Sequence, residues 1–87
     1  MKKETLTVET DEEGTITYRN ADGQLHNPDE PALVDTDGYK AYYINDKLHN
    51  PNGPAVVWHD GRKFYYINGK RLTEAEFTAW QAEKTAK

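Results

Sequence analysis

From residue 31 onward the chain writes short apolar runs broken at regular intervals by Gly, Asp, Asn and Pro. PALVDT (31–36) and YKAYYIN (39–45) flank Asp37-Gly38, and PAVVWH (54–59) and RKFYYIN (62–68) flank Asp60-Gly61. The runs are rich in Val, Ile, Tyr and Trp, which favour strands. Asp-Gly between two such runs is a preferred two-residue hairpin turn, because both central residues need positive φ. A two-residue turn at Asp60-Gly61 sets His59 opposite Arg62, Trp58 opposite Lys63, Val57 opposite Phe64 and Val56 opposite Tyr65. Strand alternation then predicts an apolar core face of Ala55, Val57, Phe64 and Tyr66, with Ala32, Val34, Ala41, Tyr43, Ile16 and Tyr18 as equivalents. The other face carries Val56, Trp58, Lys63, Tyr65 and Ile67, with Leu33, Asp35, Lys40, Tyr42 and Ile44. It mixes aromatics with charge and is expected to be partly exposed.

The pattern changes after Leu72. Thr73 followed by Glu76 is a capping box, and Leu72 and Phe77 occupy the N′ and N4 positions of a hydrophobic staple. A helix is predicted from about Glu74 to Lys84, with Phe77 and Trp80 on one side. An open stack of hairpins needs an end cover, so the helix is read as a cap. The alternative is that Phe77 and Trp80 dock onto a partner.

The two hairpins are copies. At an offset of 23 residues, Leu25-His26-Asn27-Pro28, Pro31-Ala32, Asp37-Gly38, Lys40 and Tyr42-Tyr43-Ile44-Asn45 recur as Leu48-His49-Asn50-Pro51, Pro54-Ala55, Asp60-Gly61, Lys63 and Tyr65-Tyr66-Ile67-Asn68. Gly14 to Asn20 reads as a degenerate half-unit, one residue shorter than Gly38 to Asn45. Internal repetition of this kind indicates stacked structure. The LHNPxxPA stretch is duplicated because each hairpin needs the same connector, whose prolines forbid continuous strand.

Length and charge narrow the picture. With 87 residues and 36% hydrophobic content, the chain makes one domain with a thin core in which aromatics must contribute heavily. The absence of cysteine removes disulfides and thiolate metal sites and fits a reducing cytoplasm. MKKETLTVET has no apolar run after its lysines, unlike a signal peptide. A formal net charge of −4 argues against general nucleic-acid binding. Most of the acid lies in the first half. It is read as solvated turns or, more sharply, as a negative face including Asp29, Glu30, Asp35 and Asp37 that meets a basic partner or imitates nucleic-acid phosphates.

His26, His49 and His59 invite a metal reading. Repeat-equivalent His26 and His49 should lie two strands apart, about 9–10 Å from the strand spacing, too far to share one ion easily. Each is read instead as capping its own proline-containing turn, with His59 on the surface. Serine and cysteine are both absent, Thr73 is explained by capping, and no glycine run forms a phosphate loop. No catalytic, metal or cofactor site is expected. The aromatic face is the candidate binding surface: Trp58, Tyr42, Tyr65, Ile44 and Ile67, framed by Lys40 and Lys63. Burial of that face by the helix or by a second copy is the open alternative.

The stretch YYINDKLHNPNGPAVVWHDGRKFYYINGK resembles the MORN repeat family, whose units also run about 23 residues with an aromatic-x-x-Asn-Gly-Lys segment and an Asp-Gly hairpin. The similarity covers roughly residues 14–72. Its His-Asn-Pro-x-Gly-Pro-Ala variant looks like short repeat proteins of bacteria and their phages. The resemblance implies a β-hairpin ladder used for protein contact or scaffolding. Pro28, Pro31, Pro51 and Pro54 stand where the common repeat prefers glycine, so individual binding residues do not carry over. Some members are linked to membrane lipids, but this acidic chain has no basic patch, and no membrane partner is expected.

The expectation is therefore a mostly β single domain over 1–87: an antiparallel β-hairpin repeat ladder at 14–72 with one C-terminal α-helix at 73–84. Its expected function is non-enzymatic protein binding in the cytoplasm (a host's, if the chain is viral), as a phage-encoded inhibitor of a host or bacterial defence protein. The alternative is an acidic DNA mimic. Homo-oligomerisation stays open, and direct nucleic-acid binding is not expected.

Overall fold

A computed structural model describes residues 5–85, so the first lysines, Lys2 and Lys3, lie outside the described residues. The chain forms a seven-stranded antiparallel sheet, a two-stranded hairpin and one C-terminal helix. The strands are β1 (Thr7–Thr10), β2 (Ile16–Arg19), β3 (Leu33–Val34), β4 (Lys40–Ala41), β5 (Tyr43–Ile44), β6 (Lys47–Leu48), β7 (Val56–Val57), β8 (Lys63–Ile67) and β9 (Lys70–Leu72); the helix is α1 (Glu74–Thr85). The large sheet runs β1-β2-β3-β4-β7-β8-β9, and β5-β6 stands apart. The antiparallel hairpin ladder with a terminal helix is thus the architecture.

The repeat governs the backbone. Leu33 pairs with Ala41 and Val34 with Lys40, and the same pairs recur as Val56 with Phe64 and Val57 with Lys63. β2 meets β3 as β4 meets β7: Ile16 pairs with Val34 and Lys40 with Val57, an offset of 24 in one strand and 23 in the other. The extra residue lies in the turn that follows β2: five residues separate the bridged Arg19 and Leu25, and four separate the paired Tyr43 and Leu48.

The register differs from the expected one by a residue. Asp-Gly does not form a two-residue turn here. The Trp58 N–H donates to the Arg62 carbonyl at 2.9 Å and the Gly61 N–H to the Trp58 carbonyl at 2.9 Å, closing a three-residue loop with Gly61 at φ 93°. The Asp35–Tyr39 loop does the same with Gly38 at φ 101°. This is the turn-plus-left-handed-residue loop that ranks next after the two-residue turns in hairpins. The two-residue turns with positive φ at both positions lie elsewhere, at Asn45-Asp46 (50° and 70°) and Asn68-Gly69 (52° and 83°).

That slip has a large consequence, because side chains alternate with a period of two. Within each strand the expected alternation survives, but the two strands of each hairpin exchange partners. Val56 and Trp58 share a face with Phe64 and Tyr66, while Ala55 and Val57 share the opposite face with Lys63 and Tyr65. The single apolar core face expected from the sequence is therefore corrected: each side of the sheet carries part of the apolar set. Ala32, Ala41 and Ala55 are fully buried, Val56 and Phe77 nearly so, and among the described residues no large side chain is completely enclosed. The molecule is a slab measuring 42 × 36 × 18 Å. A thickness of 18 Å suits one sheet with side chains on both sides, since a second sheet would add about 10 Å.

Helix α1 starts where expected. The Thr73 Oγ1 accepts from the Glu76 N–H at 3.1 Å, and Glu76 Oε1 accepts from the Thr73 N–H at 2.8 Å. Phe77 packs on Tyr65 with ring centroids 4.7 Å apart, and the Gln81 amide donates to the Pro51 carbonyl at 3.0 Å. In the preceding unit the Tyr42–Ile44 segment is flanked by the connector His49 to Asn52. The helix holds the corresponding place over Tyr65, where a third connector would sit, which is how it closes the ladder. Among the described residues no helix is long and apolar enough to cross a membrane.

Candidate functional site

The connectors are built from local hydrogen bonds. Asn50 Nδ2 donates to the Pro54 carbonyl at 2.9 Å, while its Oδ1 accepts from the Asn52 N–H at 3.0 Å. Asn27 makes the same pair of bonds to Pro31 and Asp29, each at 3.4 Å. The amide thus spans a turn in which proline supplies no N–H. The histidines do something else. Nδ1 of His26 accepts from the Asn45 N–H at 3.0 Å, and Nδ1 of His49 accepts from the Asn68 N–H at 2.9 Å. Each imidazole holds the Asn turn 19 residues further along its own repeat copy, where the expectation had it capping its own proline turn. Burial first, and then the charge of Lys84, holds the His49 pKa below the usual imidazole range, which suits an acceptor nitrogen. Among the described residues no three His, Asp or Glu side chains converge as metal ligands.

The acidic candidates separate. Asp29 and Glu30 are exposed on the first connector. Asp35 and Asp37 belong to a hairpin loop at the other end of the strands and are engaged within it. Asp35 accepts from the Thr15 hydroxyl at 3.0 Å and the Thr36 N–H at 2.8 Å, and Asp37 accepts from the Tyr39 N–H at 3.0 Å. Asp60 repeats the last bond with the Arg62 N–H at 3.1 Å and adds a 2.9 Å ion pair to the Arg62 guanidinium. The Arg62 backbone N–H chiefly, with the guanidinium adding, holds the Asp60 carboxyl below the usual range. The loops at 11–15, 35–39 and 58–62 stand side by side: a Cβ on Gly14 would lie 2.7 Å from Thr36 Cγ2, and one on Gly38 would lie 3.7 Å from His59 Cα. Asp11, Glu12, Glu13, Asp35, Asp37 and Asp60 therefore form a row along one margin.

The aromatic set is divided by the register. Tyr42, Tyr65, Ile44, Ile67, Lys40 and Lys63 lie on the face toward which the helix and connectors fold, with Phe77 against Tyr65. Trp58 lies on the opposite face. There it joins Tyr39, Leu48, Val56, Phe64, Tyr66 and Arg71 in a shallow bowl that no residue of α1 lines. Tyr39 and Trp58 are direct cross-strand neighbours with ring centroids 4.8 Å apart, edge to face. Arg62 lies 5.5 Å from the Trp58 ring centre, and Arg71 lies 4.8 Å from that of Phe64. Burial chiefly, with Tyr43 and Tyr66 adding, raises the Tyr39 pKa, so the phenol stays protonated. Trp58 is 38% exposed, so part of the residue stays open to solvent. Tyr39 and Arg71 escaped the sequence reading; a three-residue loop at Asp60-Gly61 puts Trp58 on the face of Phe64 and Tyr66, while the β4–β7 register brings in Tyr39 and the Tyr66–Arg71 pair brings in Arg71.

Comparison with family models, curated proteins and solved structures returned no match.

Proposed function

We propose that this chain is a non-enzymatic, protein-binding repeat module of MORN-like build, and that the Trp58–Tyr39 bowl is its contact surface. The supporting observation is the pairing of an accessible Trp with a Tyr and two guanidiniums over an apolar floor, on a sheet face not covered by the helix. Tyr, Trp and Arg are the residue types that dominate binding hot spots. A rigid sheet also presents them at little cost in side-chain entropy. The similarity of the repeats to those of short phage and bacterial proteins makes inhibition of a host or defence protein, in the cytoplasm, the biological setting of the proposal.

A second reading has its own observation, the row of acidic loops. Spaced carboxylates on a thin slab resemble a nucleic-acid backbone and would occupy a basic groove. Affinity capture from the source cell, or from its host, separates the two readings. Trp58→Ala should abolish capture by a bowl-directed partner, and Asp35→Lys with Asp37→Lys should leave that capture intact. Asp35→Lys with Asp37→Lys should abolish capture of a mimic's target, whose binding collapses with salt. Full retention of capture by Trp58→Ala removes the bowl reading.

A further inference from the structure

Resting on the bowl as the contact surface, we infer that it takes an acidic segment of its partner, an apolar or aromatic side chain flanked by Asp or Glu. The chain as a whole is acidic, with 15 Asp and Glu against 11 Lys and Arg, yet among the described residues no carboxylate lines the bowl. Its polar edges are donors instead. The Trp58 indole N–H and the Arg71 guanidinium can only donate, and the protonated Tyr39 phenol can donate beside them.

The two arginines differ in a way that locates the charge. Arg62 lies by Trp58 and is already neutralised by Asp60 at 2.9 Å. Arg71 lies against Phe64, and no carboxylate of the described residues forms an ion pair with it. A guanidinium seated against a ring keeps its fork of N–H groups available, and that fork matches a carboxylate through two parallel hydrogen bonds. Val56, Leu48 and Phe64 give an apolar floor for the adjacent side chain. A basic segment would meet Arg71 without compensation and would leave these donors unanswered. The nearby carboxylates of Asp35 and Asp37 are engaged by the Thr15 hydroxyl and by the Thr36 and Tyr39 N–H groups.

The experiment uses the full chain and two short fluorescein-labelled peptides, one with a central Phe between Glu pairs and one with the same Phe between Lys pairs. Anisotropy titration should show the Glu peptide binding more tightly than the Lys peptide, by about tenfold or more. Arg71→Ala should remove that preference, Arg71→Lys should restore only part of it, and Trp80→Ala, on the helix, should leave it unchanged. Equal or tighter binding of the Lys peptide, an Arg71→Ala protein that keeps the preference, or self-association of the chain that Trp58→Ala disrupts would each overturn the inference. Capture of a natural partner that still depends on Trp58 would then leave the bowl standing as a contact surface with a different partner chemistry.

Discussion

The imidazole of His49 accepts a hydrogen bond from the Asn68 N–H at 2.9 Å across 19 residues of chain, and His26 does the same for Asn45 at 3.0 Å. Two further bonds accompany each: the Leu48 carbonyl accepts from the Gly69 N–H and the Tyr66 carbonyl from the Asn50 N–H, as Leu25 and Tyr43 do with Asp46 and Asn27. The connector of each copy is therefore fastened to the left-handed Asn turn of the same copy, which is the part of the hairpin least able to hold itself.

The His49 bond makes the fold sensitive to acid. Protonation turns the acceptor Nδ1 into a donor facing another N–H. With the folded pKa below the unfolded value of about 6.5, the unfolded chain takes up the proton first. Stability from this site is complete above about pH 6.5 and falls as pH drops below it. Thermal melts between pH 7.5 and 5 should show Tm declining on the acid side, and His49→Gln should flatten part of that decline. Because the site is largely exposed, the change at pH 7 from losing one bond is about 1 kcal/mol or less.

The loop glycines should not tolerate alanine equally. Gly61 sits at φ 93° with no atom within 4 Å of a built Cβ, so Gly61→Ala carries only the left-handed conformational cost, about 1–2 kcal/mol. Gly14 sits at φ 91°, and its added Cβ would lie 2.7 Å from Thr36 Cγ2, so the neighbouring loop must move as well. Urea unfolding should rank Gly14→Ala as the more destabilised. Equal midpoints would mean that the two loops are not in contact.

Removing the helix cap is expected to loosen α1 without unfolding the sheet. Thr73→Ala loses the Oγ1 acceptor for the Glu76 N–H, at about 1 kcal/mol. Helical circular dichroism should fall at lower temperature than the aromatic signal of the sheet.

Phe77→Ala tests how the ladder is closed. Phe77 is 4% exposed and bridges Tyr65 at 4.7 Å to Trp80 at 5.9 Å. Its loss should cost about 3 kcal/mol, shift Trp80 emission to the red and quicken amide exchange in β8 and β9. Unchanged exchange there would show that the helix does not protect the end of the sheet.

What the sequence by itself determined was whatever rests on local signals. The 23-residue repeat predicted two equivalent hairpins with a shorter half-unit before them, and Thr73 with Glu76 predicted the start of the helix. Turn chemistry and capping act over a few residues and need no knowledge of the rest of the fold. Asp37-Gly38 and Asp60-Gly61, however, suit both a two-residue turn and a three-residue loop, since each places Gly at positive φ. Only the assembled sheet chose the longer loop, and a one-residue change in register inverts which strands share a face. Trp58 thereby left the company of Tyr42 and Tyr65 and joined Tyr39 and Arg71. The partners of His26 and His49 lay equally beyond a local reading, because each bond forms only when the connector meets a turn 19 residues further along the chain.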